Sequence, residues 1–414
     1  MMRRLVRIFV SRAAGTAGNF VLLFLVARLF GVASAGFIFS TFSIAFVTAQ
    51  IFNFGLSRFT LKSAAADDKT LQIIFKSGLW VSALLLGGVV FGYILSLSVP
   101  VNRGIVDIWL AGAALGALML VQMVCADILK VGGKTGLALL LEVSILPWIT
   151  AIIAVISWGL LTQDAMIPVY CALAAGLVTS ALAVILTHPD VSGGLQRPRI
   201  VQFWQENRVQ LAIFWTSGSL GVLASRLVGL TLPFLDLPHQ AGVLAVSVNL
   251  VSLGGTVIHA AQAFFAPQFA RLAQGPRAAL FKSLALSQGV VFCVFLPIAI
   301  PVILFPKAVL SLFGAGFTGM DGSLLMTMML AQVLRSAGGC AELFLAMTGH
   351  GIAEALILAA SVLAFFGVIL LAEPPSIPSV GYAYAAMLGI RGGLAMILAY
   401  TLHSPASEKK SFAQ

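Results

Sequence analysis

The chain has 414 residues, of which 60% are hydrophobic and only 9% charged, against about 25% charged in an ordinary soluble domain. With a mean hydropathy of +1.05, a soluble fold of this size could not hide its apolar surface, whereas lipid removes the need to hide it. A net charge of +10 would by itself suggest a nucleic-acid partner, but most of the basic residues sit at the ends of apolar stretches, where membrane-surface electrostatics accounts for them.

An α-helix needs about twenty apolar residues to cross a bilayer core of ~30 Å. The chain opens on Arg3, Arg4, Arg7 and Arg12 and runs directly into such a stretch, a basic flank of a full span and not a cleaved signal peptide. Predicted spans follow at 14–32, 36–57, 77–99, 106–129, 137–159 and 167–187. After a polar stretch rich in Pro and Gly they resume at 209–231, 241–265, 284–306, 323–346, 352–372 and 379–402. Gly88-x-x-x-Gly92 and Gly112-x-x-x-Gly116 read as helix-packing contacts. Pro147 is expected to interrupt the fifth span, and Pro297 and Pro301 the ninth. Cys125, Cys171, Cys293 and Cys340 all fall within spans and read as small apolar packers, not as a disulfide framework.

The loops carry a direction. Eighteen Lys and Arg residues fall on the side that holds both termini, and only Arg103 and Lys307 on the other. The positive-inside rule places the basic side, with both termini, in the cytoplasm, and an even number of spans follows. The expected organisation is an amino-terminal lobe of six helices over 1–187, a linker over 188–208, a second six-helix lobe over 209–402 and a tail over 403–414. Arg28-Leu29-Phe30-Gly31 and Arg226-Leu227-Val228-Gly229 stand at matching places in the two halves, as a duplicated unit related by an axis along the membrane normal would leave them.

Every external connection is too short for a catalytic module. Gly132-Gly133-Lys134-Thr135 looks like the end of a phosphate-binding loop, but Ile128 stands where that pattern needs glycine, so it reads as a tight basic turn. No metal motif, thiol pair or acidic pair at catalytic spacing occurs. The expectation is therefore a protein that is not an enzyme, with no cofactor, no metal, no nucleotide and no nucleic-acid partner.

A charge at the bilayer centre costs at least ~2.5–3.5 kcal/mol, so embedded charges face protein or a wet cavity. Four arginines lie within the spans: Arg28, Arg226, Arg335 and Arg391. Gln332, Arg335, Gly339 and Glu342 are spaced three, four and three, which on an unbroken helix puts them on one face, with Gly338 and Gly339 leaving room for a backbone or a ligand. Arg391 is flanked by Gly389, Gly392 and Gly393. Asn249, Ser252, Thr256 and His259 form a polar stripe on span eight, with Gln262 close by. Cavity lining and plain helix bridging both satisfy these patterns, and snorkelling to the headgroups also accounts for Arg28 and Arg226.

The segment A-R-L-F-G-V-A-S-A-G-F-I-F-S-T-F-S-I at 27–44, followed by F-N-F-G-L-S-R-F at 52–59, resembles the start of bacterial polysaccharide flippases of the multidrug/oligosaccharidyl-lipid/polysaccharide exporter superfamily. A-P-Q-F-A-R-L at 266–272, L-S-L-F-G-A-G-F at 310–317 and A-M-T-G-H at 346–350 resemble its later signatures, with His350 where that family often has a basic residue. The resemblance implies an all-α protein of about twelve transmembrane helices in two lobes forming a V around a central cavity. It implies a place in the bacterial inner membrane and alternating-access translocation of an undecaprenyl-pyrophosphate-linked oligosaccharide. Membrane lipids, and polysaccharide polymerase or export machinery, would be the partners. It implies no invariant catalytic residue. The substrate-facing set expected from depth and spacing is Arg28, Arg226, Arg335, Arg391, Asn249, Thr256, His259, Gln332 and Glu342. The competing readings are a multidrug or metabolite:cation antiporter of the same superfamily, a glycosyltransfer enzyme, and a non-transporting component of a polysaccharide synthesis complex.

Overall fold

The computed structural model describes residues 2–62, 68–97, 103–160, 164–191, 197–234, 238–273, 276–317, 322–372 and 376–402. Among these there is no strand. The helices are α1 (Met2–Leu29), α2 (Val32–Phe52), α3 (Leu56–Lys62), α4 (Asp68–Ser96), α5 (Arg103–Val131), α6 (Thr135–Leu139), α7 (Ile145–Leu160) and α8 (Ile167–Val191). They continue as α9 (Arg197–Thr231), α10 (Pro238–Leu272), α11 (Arg277–Leu304), α12 (Pro306–Ser311), α13 (Ser323–Gly338), α14 (Ala341–Met347), α15 (Gly351–Leu371) and α16 (Ile377–Leu402). Each of the twelve predicted spans falls on one of these helices or on a broken pair. Among the described residues ten spans are long and apolar enough to cross a membrane, and an eleventh counts when Thr135–Glu142 and Ile145–Leu160 act together. The first expected span is the short one, its apolar part reduced to Ala13–Leu29. This is a polytopic, multi-pass membrane protein.

The chain forms two compact units, Met1–Ala245 and Val246–Gln414, with the boundary inside α10. In the first, glycines set the helix spacing. A methyl group on Gly112 would meet Ile44 Cβ at 2.7 Å, and one on Gly116 would meet Thr48 Cβ at 2.7 Å, so α5 lies against α2 as the glycine spacing predicts. Gly88 behaves otherwise. It is exposed and nothing lies within 4 Å of where its Cβ would be, so on α4 only Gly92, 3.3 Å from Leu110, makes a packing contact. Gln122 joins α5 to α8 by donating to Thr179 Oγ1 at 2.6 Å and Ser180 Oγ at 3.1 Å. Trp148 joins α7 to α1 by donating to the Ala14 carbonyl at 3.1 Å.

Two breaks in this unit are local in origin. Between α2 and α3, Phe54 (φ 48°) and Gly55 (φ 80°) take left-handed backbone. The Asn53 side chain caps the restart, its Oδ1 accepting from Ser57 N at 2.9 Å. Trp215 of α9 donates to the Ile51 carbonyl at 2.6 Å, satisfying an acceptor at the end of α2. Between α6 and α7, Leu140–Ser144 form a π-helical turn just before Pro147, and the two parts of the span bend by 47°. Proline cannot donate to the carbonyl four residues back and its ring crowds it, and the wider turn relieves both.

In the second unit α11 is continuous although it contains Pro297 and Pro301. The expected interruption is therefore corrected. Four residues apart, the two prolines share one exposed side, while Val291, Phe295, Ala299 and Val302 keep the packed side intact. Cys293 of the same helix is exposed, not a buried packer, whereas Cys125, Cys171 and Cys340 are buried. Phe269, Phe344, Leu284, Val291 and Ile357 form the apolar core beneath the candidate site.

Candidate functional site

The second unit brings three of the predicted charges together. Arg391 on α16 meets Glu342 on α14 in a two-pronged pair, Nε donating to Oε1 at 2.7 Å and Nη2 to Oε2 at 2.6 Å. Arg335 on α13 places its Nε 3.9 Å from Glu342 Oε1, near enough for attraction but too far for a hydrogen bond. That Nε is buried and, among the described residues, has no hydrogen-bond partner. Side-chain exposures of 17% for Arg391, 12% for Glu342 and 11% for Arg335 leave the cluster mostly buried.

The local sequence explains the meeting, though not by the expected route. Residues 332 to 342 do not lie on one helical face, because the helix stops at Gly338 and restarts at Ala341. Gly339 takes φ 55°, a conformation few side chains tolerate, and a Cβ there would lie 2.7 Å from Gln288 Cα of α11. A Cβ on Gly392 would lie 2.5 Å from Arg335 Cα, and one on Gly338 would lie 3.1 Å from the Gly392 carbonyl. The glycines thus admit a neighbouring backbone, and that approach carries Arg391 to Glu342 across the break.

The other expected residues divide. Gln332 is buried and pressed against Gly254, whose Cβ would lie 2.6 Å from its Nε2, so it packs α13 on α10. Along α10, Ser252 donates to the Asn249 carbonyl at 2.7 Å and Thr256 to the Ser252 carbonyl at 3.4 Å, so these hydroxyls bond to their own helix. Asn249 Nδ2 is buried without a partner among the described residues. His259 Nδ1 lies 3.0 Å from Gln262 Oε1, and its ring is within electrostatic reach of Glu342. Arg28 and Arg226 belong to the first unit. Arg28 is exposed in the last turn of α1, 5.5 Å over its own helix's Phe24, and Arg226 lies 4.3 Å over Phe46 of α2.

Sequence reasoning missed a second cluster, in the first unit. Lys130 of α5 bonds both Asp127 at 2.8 Å and Glu142, on the π-helical turn, at 2.7 Å. Asp127 is buried and accepts a hydrogen bond from Ser57, which in turn accepts from Asn53 Nδ2 at 2.7 Å. The three-residue spacing of Asp127 and Lys130 was the available signal, but Glu142 reaches them only because of the bend before α7. This cluster carries one net negative charge, while Arg335, Glu342 and Arg391 carry one net positive charge. Among the described residues no group of three His, Cys, Asp or Glu side chains could hold a metal ion.

No family model matches the sequence, and no curated protein matches it. Solved structures do match its fold. An inward-facing multidrug resistance MATE family transporter of the MOP superfamily is similar over 97% of this chain and 99% of its own, at 13% identity and a TM-score of 0.71. The lipid II flippase MurJ in an inward closed conformation is similar over 97% of this chain and 87% of its own, at 12% identity and a TM-score of 0.66. A MOP superfamily transporter from Pyrococcus furiosus, described by the reverse polarity of its binding pocket, is similar over 97% of this chain and 96% of its own, at 14% identity and a TM-score of 0.62. The chain has the MATE-like fold.

Proposed function

We propose that this protein is a membrane transporter, specifically a flippase that moves the anionic headgroup of a lipid-linked oligosaccharide across the bacterial inner membrane by alternating access. The observation that carries this reading is the Arg335–Glu342–Arg391 cluster, which sets two guanidinium groups against one carboxylate within 4 Å, with Glu354 acting on Arg391 only through its charge, on a partly accessible set of helices. Nothing in apolar packing requires that excess, since an isolated buried guanidinium is costly, whereas an anionic passenger does. The fold it shares with a lipid II flippase supports the same class. Among the embedded acids Asp127, Glu142 and Glu342, each is already bonded to a Lys or Arg of the chain, which leaves no free carboxylate among them for a cationic drug. Both termini are assigned to the cytoplasm on the distribution of Lys and Arg.

The deciding experiment removes the gene and follows the undecaprenyl-linked intermediate. It should accumulate on the cytoplasmic leaflet, and a plasmid copy should clear it, while drug sensitivity stays unchanged. Normal surface polysaccharide with no accumulation would overturn the flippase reading, and a broad gain of drug sensitivity would replace it with the exporter alternative.

A further inference from the structure

The fine structure of the arginine cluster suggests how it would hold and then release an anion. Arg391 holds Glu342 in a two-pronged pair that uses both carboxylate oxygens, while Arg335 lies 3.9 Å away with a buried Nε that bonds nothing described. A buried N–H without an acceptor is destabilising, more so on a charged group, so the cluster is incomplete as built. Its missing element is an acceptor. A carboxylate has two oxygens and one charge, too few to serve two guanidinium groups in two-pronged fashion. A diphosphate diester carries two negative charges and enough oxygens to serve both, and guanidinium matches phosphate geometry in the same forked manner.

We propose that Glu342 is a resident substitute for a diphosphate: the passenger's phosphate oxygens take over Arg335 and Arg391, and the tethered carboxylate reclaims Arg391 when the passenger leaves. This rests on the flippase reading only for the source of the diphosphate. Arg335 on α13 and Glu342 on α14 stand on either side of the break at Gly339, so Glu342 can withdraw from the arginines without an intact helix turn between them. A carboxylate tethered beside the site competes at high effective concentration, which lowers affinity and speeds release. Glu342 is thus a positioning residue, and its removal should tighten binding instead of weakening it.

The test uses the full-length protein in neutral detergent with inorganic pyrophosphate as the probe. Glu342→Gln should bind pyrophosphate at least tenfold more tightly than the natural chain, and adding Arg335→Gln to it should reverse that gain. In reconstituted transport of a lipid-linked oligosaccharide, Glu342→Gln should lower KM and kcat together. A purely structural glutamate would lower kcat without lowering KM and leave pyrophosphate affinity unchanged or weaker, and either result overturns the proposal. Should Glu342→Gln fail to fold, phenylglyoxal labelling of the unaltered protein decides: pyrophosphate should protect Arg335 and Arg391, and no protection overturns the proposal. Nanodiscs of phosphatidylglycerol and of phosphatidylcholine separate the possible sources. Protection by phosphatidylglycerol with none by pyrophosphate would assign the site to a phospholipid headgroup and overturn it. Pyrophosphate binding without any flippase activity would leave the anion site standing and remove the flippase reading.

Discussion

Arg391 and Glu342 exchange two hydrogen bonds in a setting that excludes most water, and Arg335 lies 3.9 Å from the same carboxylate, so losing Glu342 strands two positive charges while losing Arg391 leaves Glu342 to Arg335. Glu342→Leu should lower stability by about 3–5 kcal/mol, because Arg335 and Arg391 both lose their carboxylate, and adding Arg391→Leu should recover part of that loss by leaving one stranded guanidinium instead of two. Melting temperatures of the two single variants and the double variant in detergent check this. A double variant as unstable as Glu342→Leu would mean that the glycine-lined contact between α13 and α16, and not the charges, sets the local stability. Embedded charges were legible at this scale, because Arg335, Glu342 and Arg391 stand out from any apolar run. Which of them would meet was not. The three-four-three spacing assumed an unbroken helix, and the chain turns at Gly339, so Glu342 reaches the arginines through a break. The meeting of Asp127 and Lys130 with Glu142 was not legible either, because Glu142 arrives from a bend that only the folded backbone reveals.

Among the elements, helix existence followed from hydropathy, since few other structures satisfy their own backbone in lipid. Helix integrity did not follow from composition. Pro297 and Pro301 leave α11 continuous, while Asn53–Gly55, with no proline, stops α2, because Trp215 and Asn53 supply the bonds that the break removes. Glycine substitutions separate the two kinds of glycine. Gly116→Val should cost about 1–3 kcal/mol, because the new side chain meets the Ala45 carbonyl and Thr48 of α2. Gly88→Ala, into open space, should change stability by no more than about 1 kcal/mol and in the stabilising direction. Gly55→Ala should cost about 1–3 kcal/mol, since φ 80° disfavours a side chain and the added methyl would press on α9 at the Leu211 carbonyl and Trp215. Thermal melts of the three variants rank them. Gly88→Ala falling below Gly116→Val would reverse the assignment of which glycines hold helices together.

For the molecule as a whole, the orientation drawn from Lys and Arg has a direct check. Reporter fusions after residues 134, 208 and 282 should show cytoplasmic activity, and fusions after 103 and 164 external activity. An inverted pattern would place the basic loops outside and reverse the direction of transport. The odd charge of the arginine cluster then acquires a consequence for energetics. Empty, it carries one positive charge; holding a dianion, it carries one negative charge. If the protein is the flippase proposed above, an inside-negative voltage, about 2.3 kcal/mol per charge per 100 mV across the full field, would pull the empty carrier inward and drive the loaded one outward. Both half-cycles would run in the export direction on electrical force alone, without a co-transported ion. In potassium-loaded proteoliposomes, imposing opposite valinomycin potentials should accelerate and arrest flux in turn.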